Sequence, residues 1–271
     1  MTGMKRDRVA VIAGQGALAP LVVGALDDAC VFALQGFAPE GVDAEPFRLE
    51  RLSLLLDRLV DDGVTRVVFA GAVRRPRLDP DLFDPRTAQL LPRILSAMQS
   101  GDDGALREII AIFEDWGLQV VGVQDVLPGL VPGEGVLAGA PSAADRRDAE
   151  RAAAILAALG PLDVGQGAVV AQGLCLAVET LPGTAAMLDF AARHKALRPD
   201  PGGARGVFYK APKPGQDRRI DLPALGPDSV AQAAAAGLAG IAWEADGVIL
   251  LDRDAMVAAA DAAGLFLWAR A

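Results

Sequence analysis

The chain has 271 residues, of which 52% are apolar and 5% aromatic, and its 35 acidic against 26 basic side chains give a formal net charge of −9. That composition suits one large or two medium globular domains and excludes a disordered tail or a disulfide mini-fold. The acidic balance excludes broad nucleic-acid binding, which needs clustered excess Lys and Arg. Mean hydropathy is positive, but no window holds about 18 uninterrupted apolar residues, so no transmembrane helix is expected. The start, "MTGMKRDRVAVIAG", has too short an apolar run for a signal-peptide core, and a cytosolic protein is expected, with room left for handling a lipid at a membrane surface. Cys30 and Cys175 sit in apolar runs and read as buried, reduced thiols. The single histidine, His194, falls near the end of the helical pattern 187–197. One His cannot build a multi-His zinc site, so a divalent metal here would be held by oxygen ligands.

"RVAVIA" (8–13) reads as a buried strand, followed by Gly14-Gln15-Gly16 and a helical stretch over 17–28. A second strand is expected over 29–36 and a helix over 47–63, with leucines on one face and charges on the other. A third strand covers 65–71, helical patterns cover 85–99 and 103–116, and a fourth strand covers 118–125. This alternation predicts a parallel, doubly wound sheet. The segment 126–142 is rich in Gly and Pro and reads as a connector. It leads to a helix over 142–160, with Ser142 as N-cap and Gly160 as stop.

The second half opens with two short strands around Gly173, then a helix from about 183 and a strand over 206–210. After an irregular loop come a helix (228–236), "GIAWEA" and "GVILLD" as paired strands, a last helix and "LFLWARA". The reading is α/β with two domains around a central cleft. Residues 1–132 would form a Rossmann-like parallel sheet, 133–163 a linker with a helix, and 164–271 a mixed α/β domain.

Gly14-Gln15-Gly16 lies between a strand and a helix, where backbone N–H groups can face a phosphate. Strand two ends in Gln35-Gly36-Phe37 with no acid to hold a ribose. A turn without a ligand, a nucleotide or sugar phosphate, and NAD therefore all remain open. Arg74, Arg75 and Arg77 leave the carboxyl end of the third strand and would fork onto phosphate oxygens, or else form a solvated turn paired with Asp79 or Asp81. Asp102 and Asp103 open a helix, where capping explains them without a ligand. Glu179 precedes Gly183-Thr184, which begins either an anion-facing helix or a plain cap.

The richest signal is "YKAPKPGQDRRIDLPALGP" (209–227). Lys210, Lys213, Arg218 and Arg219 supply positive charge for a di- or triphosphate. Asp217 and Asp221 supply hard oxygen ligands for Mg²⁺ or a base for a water. If the tail of the loop is extended, 217, 219 and 221 share one face and place Arg219 between the two aspartates. A surface salt-bridge tangle would use the same letters, but Pro212, Pro214 and Pro223 favour a rigid, functional loop.

At this loop the chain resembles the UDP-2,3-diacylglucosamine pyrophosphatases of lipid A synthesis, of the metal-dependent type unrelated to calcineurin-like phosphoesterases. "IAGQGALAP", "AGAVRRP", "GDDGALREI", "GQGAVVAQG", "VETLPGTAAM" and the 209–227 loop occur in the order expected of that family. The resemblance implies hydrolysis of the substrate pyrophosphate to UMP and a diacylated glucosamine 1-phosphate (lipid X). It also implies Mg²⁺ assistance and a homodimer, and is compatible with peripheral contact at the cytoplasmic face of the inner membrane. Its charged loop falls on Lys210, Lys213, Gln216, Asp217, Arg219 and Asp221, and its glycine turns on Gly14, Gly16, Gly165 and Gly167. Arg75, Gln166 and Thr184 complete the expected substrate contacts. Asp221, with Asp217, would orient Mg²⁺ or the attacking water, while Lys213 and Arg219 hold phosphate oxygens. Two departures stand out: Ala185 where the family pattern carries an acid, and a shifted turn after Glu244. Competing readings are a nucleotide-sugar transferase or dehydrogenase using the 14–19 turn, and a lipid or nucleotide-sugar carrier.

Overall fold

The computed structural model describes residues 8–74, 76–99 and 101–271. The chain divides into two compact units, one comprising 1–128 with 217–221, the other 129–216 with 222–271.

The first unit is built on a five-stranded, wholly parallel sheet in the order β3-β2-β1-β4-β5. The strands are β1 (Arg8–Ala13), β2 (Ala29–Leu34), β3 (Glu45–Phe47), β4 (Val64–Ala70) and β5 (Gln119–Val121). The central strands read as unbroken apolar runs because helices cover both faces of a parallel sheet: Ala10 and Val11 of β1 and Val67 and Val68 of β4 are fully buried. Helices α1 (Leu18–Gly24), α2 (Leu52–Asp61), α3 (Thr87–Gln99), α4 (Gly101–Asp115) and the short α5 (Val123–Val126) complete the unit. In α2, Leu52, Leu55, Leu56 and Leu59 recur at helical spacing and are buried in one core with Val67, Ile112 and Phe113.

Two expectations differ here. The helix expected over 47–63 begins at Leu52, because 45–47 is captured as strand β3 by β2. The strand expected over 118–125 stops at Val121, and the chain turns into α5 with Asp125 accepting the Gly122 N–H.

The start of α3 is fixed by a small polar network. Asp84 accepts from the backbone N–H groups of Arg86 and Thr87, from the Thr87 hydroxyl and from the Ser53 hydroxyl. Burial alone would raise the Asp84 carboxyl, but hydrogen bonds from Thr87, Ser53 and Arg86 outweigh it and leave the pKa below the ordinary 3.8. A carboxylate with a lowered folded pKa stabilises the fold fully above its ordinary value, and the contribution is lost as pH falls through the folded value. Asp84→Ala is expected to cost about 1–2 kcal/mol in chemical denaturation at pH 7, with the gap to wild type closing at strongly acidic pH.

The second unit carries a six-stranded mixed sheet ordered β6-β13-β11-β9-β7-β8. It comprises β6 (Gly135–Ala138), β7 (Gly167–Ala171), β8 (Leu174–Val178), β9 (Val207–Lys210), β11 (Gly240–Glu244) and β13 (Phe266–Arg270), while β10 (Ala224–Leu225) pairs apart with β12 (Ile249–Leu250). Strands β9, β11 and β13 are parallel; β6, β7 and β8 run antiparallel to their neighbours. Around the sheet lie α6 (Ala143–Leu159), α7 (Gly183–Arg193), α8 (Pro227–Ala235) and α9 (Arg253–Ala263). Leu188, Phe208, Ile241 and Trp243 are fully buried in the core shared by α7, β9 and β11.

Residues 133–163, read from sequence as a linker with a helix, contain that helix as α6, which buries Ala149 and Ala152 against Val207 and Tyr209 of β9, and also β6, which pairs with β13. "GIAWEA" and "GVILLD" are not partners. Both edges of β11 are taken by β9 and β13, so β12 pairs with β10 instead. Ser142 does cap α6, reciprocally with Asp145. The cysteines are free, but Cys30 is half-buried and Cys175 exposed, because Cys175 lies on the uncovered edge strand β8. His194 terminates α7 against the Phe190 ring. Among the described residues no helix is long and apolar enough to cross a membrane.

Candidate functional site

In the turn after β1 the first two N–H groups are taken by backbone carbonyls at the end of β4 and in the loop after it. The N–H of Gly14 bonds the Ala70 carbonyl, and Gln15 exchanges backbone hydrogen bonds with Ala72. Gly14 and Gly71 lie back to back: a Cβ on Gly14 would meet the Ala72 oxygen at 2.7 Å, and one on Gly71 the Gly14 oxygen at 2.4 Å. These glycines let the loops after β1 and β4 touch. Gly16, exposed with φ +97°, completes the turn. The seven residues of α1 that follow carry no side-chain cap. Arg74 and Arg77 are exposed on the segment after β4, while Arg75 and the side chains of Asp102 and Asp103 lie outside the described residues.

In the second unit the predicted residues converge on two small networks. At the end of β9, Lys210 is only 4% exposed. Its ammonium donates to Glu179 Oε2 at 3.2 Å and to the Thr184 hydroxyl, and Thr184 in turn donates to Glu179 Oε1 at 3.0 Å. Burial lowers the Lys210 pKa against the opposing pull of Glu179. The two glycines of "GQG" make room for Glu179, Gly165 for its backbone and Gly167 for its carboxylate. A Cβ on Gly165, whose φ is +57°, would lie 1.9 Å from the Glu179 carbonyl oxygen, and one on Gly167 would lie 2.6 Å from Glu179 Oε2. The Gly167 carbonyl also accepts the Glu179 N–H.

The second network joins Gln166, whose side-chain amide donates to Gln216 Oε1 at 2.8 Å; that oxygen also accepts the Lys213 N–H. Gln216 is buried, and the Lys213 ammonium is paired with Asp163. The residues between Lys210 and Gln216 are thus tied down at both ends, as the prolines predict.

Residues 217–221 belong to the first unit and are not extended. The N–H groups of Ile220 and Asp221 both reach back to the Asp217 carbonyl at 3.4 Å, making a turn. The expected shared face of 217, 219 and 221 is therefore absent. Arg219 instead folds onto Asp217, Nε to Oδ1 at 3.0 Å and Nη2 to Oδ2 at 2.7 Å, and its Nη1 meets Glu114 at 2.7 Å. This fork holds the Asp217 carboxyl below its ordinary value, and it raises the pKa of Arg219. Ile220 packs into the leucine-rich core, and Gln124 donates to the Arg218 carbonyl.

Among the described residues no three His, Cys, Asp or Glu side chains cluster to hold a metal. Both Asp217 oxygens accept from Arg219, so that carboxylate does not fit a metal as arranged. Half-buried Asp221 fits the way Mg²⁺ is commonly held, by one or two carboxylates with substrate phosphates and waters.

The residue missing from the sequence-based set is Glu179. Its signal was Lys210 itself: a lysine ending a strand as apolar as "VFYK" needs a buried counter-charge, and Glu179 is the acid that closes the neighbouring apolar hairpin.

Fold and site together define a two-unit α/β protein with a fixed lysine–carboxylate–hydroxyl cluster and a charged, proline-stiffened loop. Residues 8–130 match the family model described as the LpxI N-terminal domain, and residues 133–268 match the LpxI C-terminal domain. The chain belongs to the LpxI family, which bears out the resemblance read from the ordered motifs. It is 37% identical over 270 residues to the UDP-2,3-diacylglucosamine pyrophosphatase LpxI of Caulobacter vibrioides, an alignment covering 96% of each chain.

Proposed function

We propose that the protein hydrolyses the pyrophosphate of UDP-2,3-diacylglucosamine, releasing UMP and 2,3-diacylglucosamine 1-phosphate for lipid A synthesis. The observation that carries this is the continuous similarity to a pyrophosphatase of that name across 96% of both chains. The chemistry agrees with it. Splitting a phosphoric anhydride requires charge neutralisation and an oriented water more than a covalent nucleophile.

In this reading Asp221 orients the attacking water and would hold Mg²⁺, which when bound neutralises charge on the phosphate oxygens. Lys213 supplies positive charge on the stiffened loop, with its backbone fixed by Gln216 and Gln166. Arg219 takes a different part from the phosphate contact expected of it: clamped by Asp217 and Glu114, it fixes the turn that carries Asp221. Mg²⁺ as the ion, a homodimer as the assembly, and work at the cytoplasmic face of the inner membrane belong to the same proposal.

The test is direct. Purified protein with UDP-2,3-diacylglucosamine and Mg²⁺ is expected to release UMP and the 1-phosphate in equal amounts, followed by mass spectrometry. Intact substrate after prolonged incubation would overturn the hydrolase reading in favour of a carrier, and sugar transfer without UMP would favour a transferase.

A further inference from the structure

The Lys210–Glu179–Thr184 cluster holds more polar order than a packing role requires. Burying an ion pair rarely stabilises a fold better than apolar residues of the same volume. Here the pair lies next to a core of Val169, Leu188 and Phe208 that a methionine could have joined. The hydrogen bonds form a closed ring, Lys210 to Glu179, Lys210 to Thr184 and Thr184 to Glu179. An ammonium has three donors. Two are matched in that ring, and the third has no acceptor among the described residues. Gly165 leaves room for the Glu179 backbone and Gly167 for the carboxylate that fixes it. The charges of Lys210 and Glu179 cancel, so the cluster offers a single N–H rather than a pool of positive charge.

We propose that Glu179 is a positioning residue: together with Thr184 it holds the Lys210 ammonium so that its remaining N–H is given to an anionic oxygen of the substrate pyrophosphate. This rests on the pyrophosphatase reading for the identity of the substrate. The ring itself comes from geometry alone.

Glu179→Gln separates the possibilities, because it keeps the shape and removes the charge. A positioning role predicts kcat lower by about 10- to 100-fold, with KM unchanged or reduced, since misplacement costs rate while the cluster becomes more positive. A charge-balancing role predicts a lower KM at unchanged kcat. A merely structural role predicts a lower melting temperature at unchanged kcat well below it. Either of the last two results would overturn the proposal. In a Lys210→Met background, Glu179→Gln is expected to cause little further loss of kcat, and independent multiplication of the two effects would also overturn it.

Should Glu179→Gln fail to fold, Thr184→Val keeps the ion pair but opens the ring. It is expected to lower kcat several-fold, on the scale of one hydrogen bond, and full activity would sink the idea. The readout independent of turnover is the ¹H–¹⁵N signal of the Lys210 ammonium, with inorganic pyrophosphate as probe. The signal should shift on titration in the wild type and not in Glu179→Gln. A wild type that releases no UMP yet responds to pyrophosphate would overturn the functional reading alone. An active wild type whose Glu179→Gln variant keeps its kcat would overturn this inference alone.

Discussion

Asp221→Ala is expected to lower kcat for UDP-2,3-diacylglucosamine by about 100-fold or more, the scale of losing a base or an electrostatic contribution at the reacting centre. The fold should survive. The turn from Asp217 to Asp221 is closed by backbone hydrogen bonds, and Ile220 and the Arg219–Asp217–Glu114 group anchor it. Asp221→Asn, which keeps the shape without the charge, should be nearly as impaired. Asp217→Ala should behave differently: it removes the fork on Arg219 and leaves only the Glu114 contact, and its first effect is a modest loss of stability, since the pair is partly exposed. Melting curves alongside steady-state kinetics check all three. Normal turnover in Asp221→Ala would remove that residue from the mechanism.

Lys210→Met is expected to destabilise the protein by about 3–5 kcal/mol, because it leaves the Glu179 carboxylate buried without its cation. Urea denaturation at neutral pH measures this. Lys210→Met combined with Glu179→Gln should recover part of the loss, as no charge is then left buried. A single-variant cost below about 1 kcal/mol, the range of exposed pairs, would show that the pair is not held as described. The pH dependence has a definite sign. The folded pKa of Lys210 lies below the ordinary 10.5, so between the two values the unfolded chain binds more protons and stability rises with pH. That rise should vanish in Lys210→Met.

The parallel sheet of the first unit was legible because β1 and β4 end in the apolar runs Val9–Ala13 and Val67–Ala70, each closed by a Gly turn and alternating with helical patterns. Ser142 was legible because a capping box is a local pattern. What escaped was long-range. Nothing local says that "IL" at 249–250 pairs with "AL" at 224–225 rather than with the strand beside it in sequence. The tail of the charged loop was read by alternation, but Arg219 prefers a fork onto Asp217, two residues back, and that contact curls the backbone. The candidate site was legible in its residue types, and Thr184, Lys210, Gly165 and Gly167 do gather. The acid that gathers them was passed over, since a lone Glu after a strand looks like any other turn residue until its partner in space is known.

The placement of residues 217–221 has a consequence for synthesis of the chain. The first 128 residues contain every strand of their sheet, yet the compact unit they form also includes five residues made almost ninety positions later, with Ile220 set against its leucine core. The amino-terminal half can therefore collapse early on the ribosome but reaches its final packing only after residue 221 has emerged. A fragment ending at 128 should fold loosely and bind hydrophobic dyes, and supplying a 217–221 peptide in trans would be the natural way to seal it.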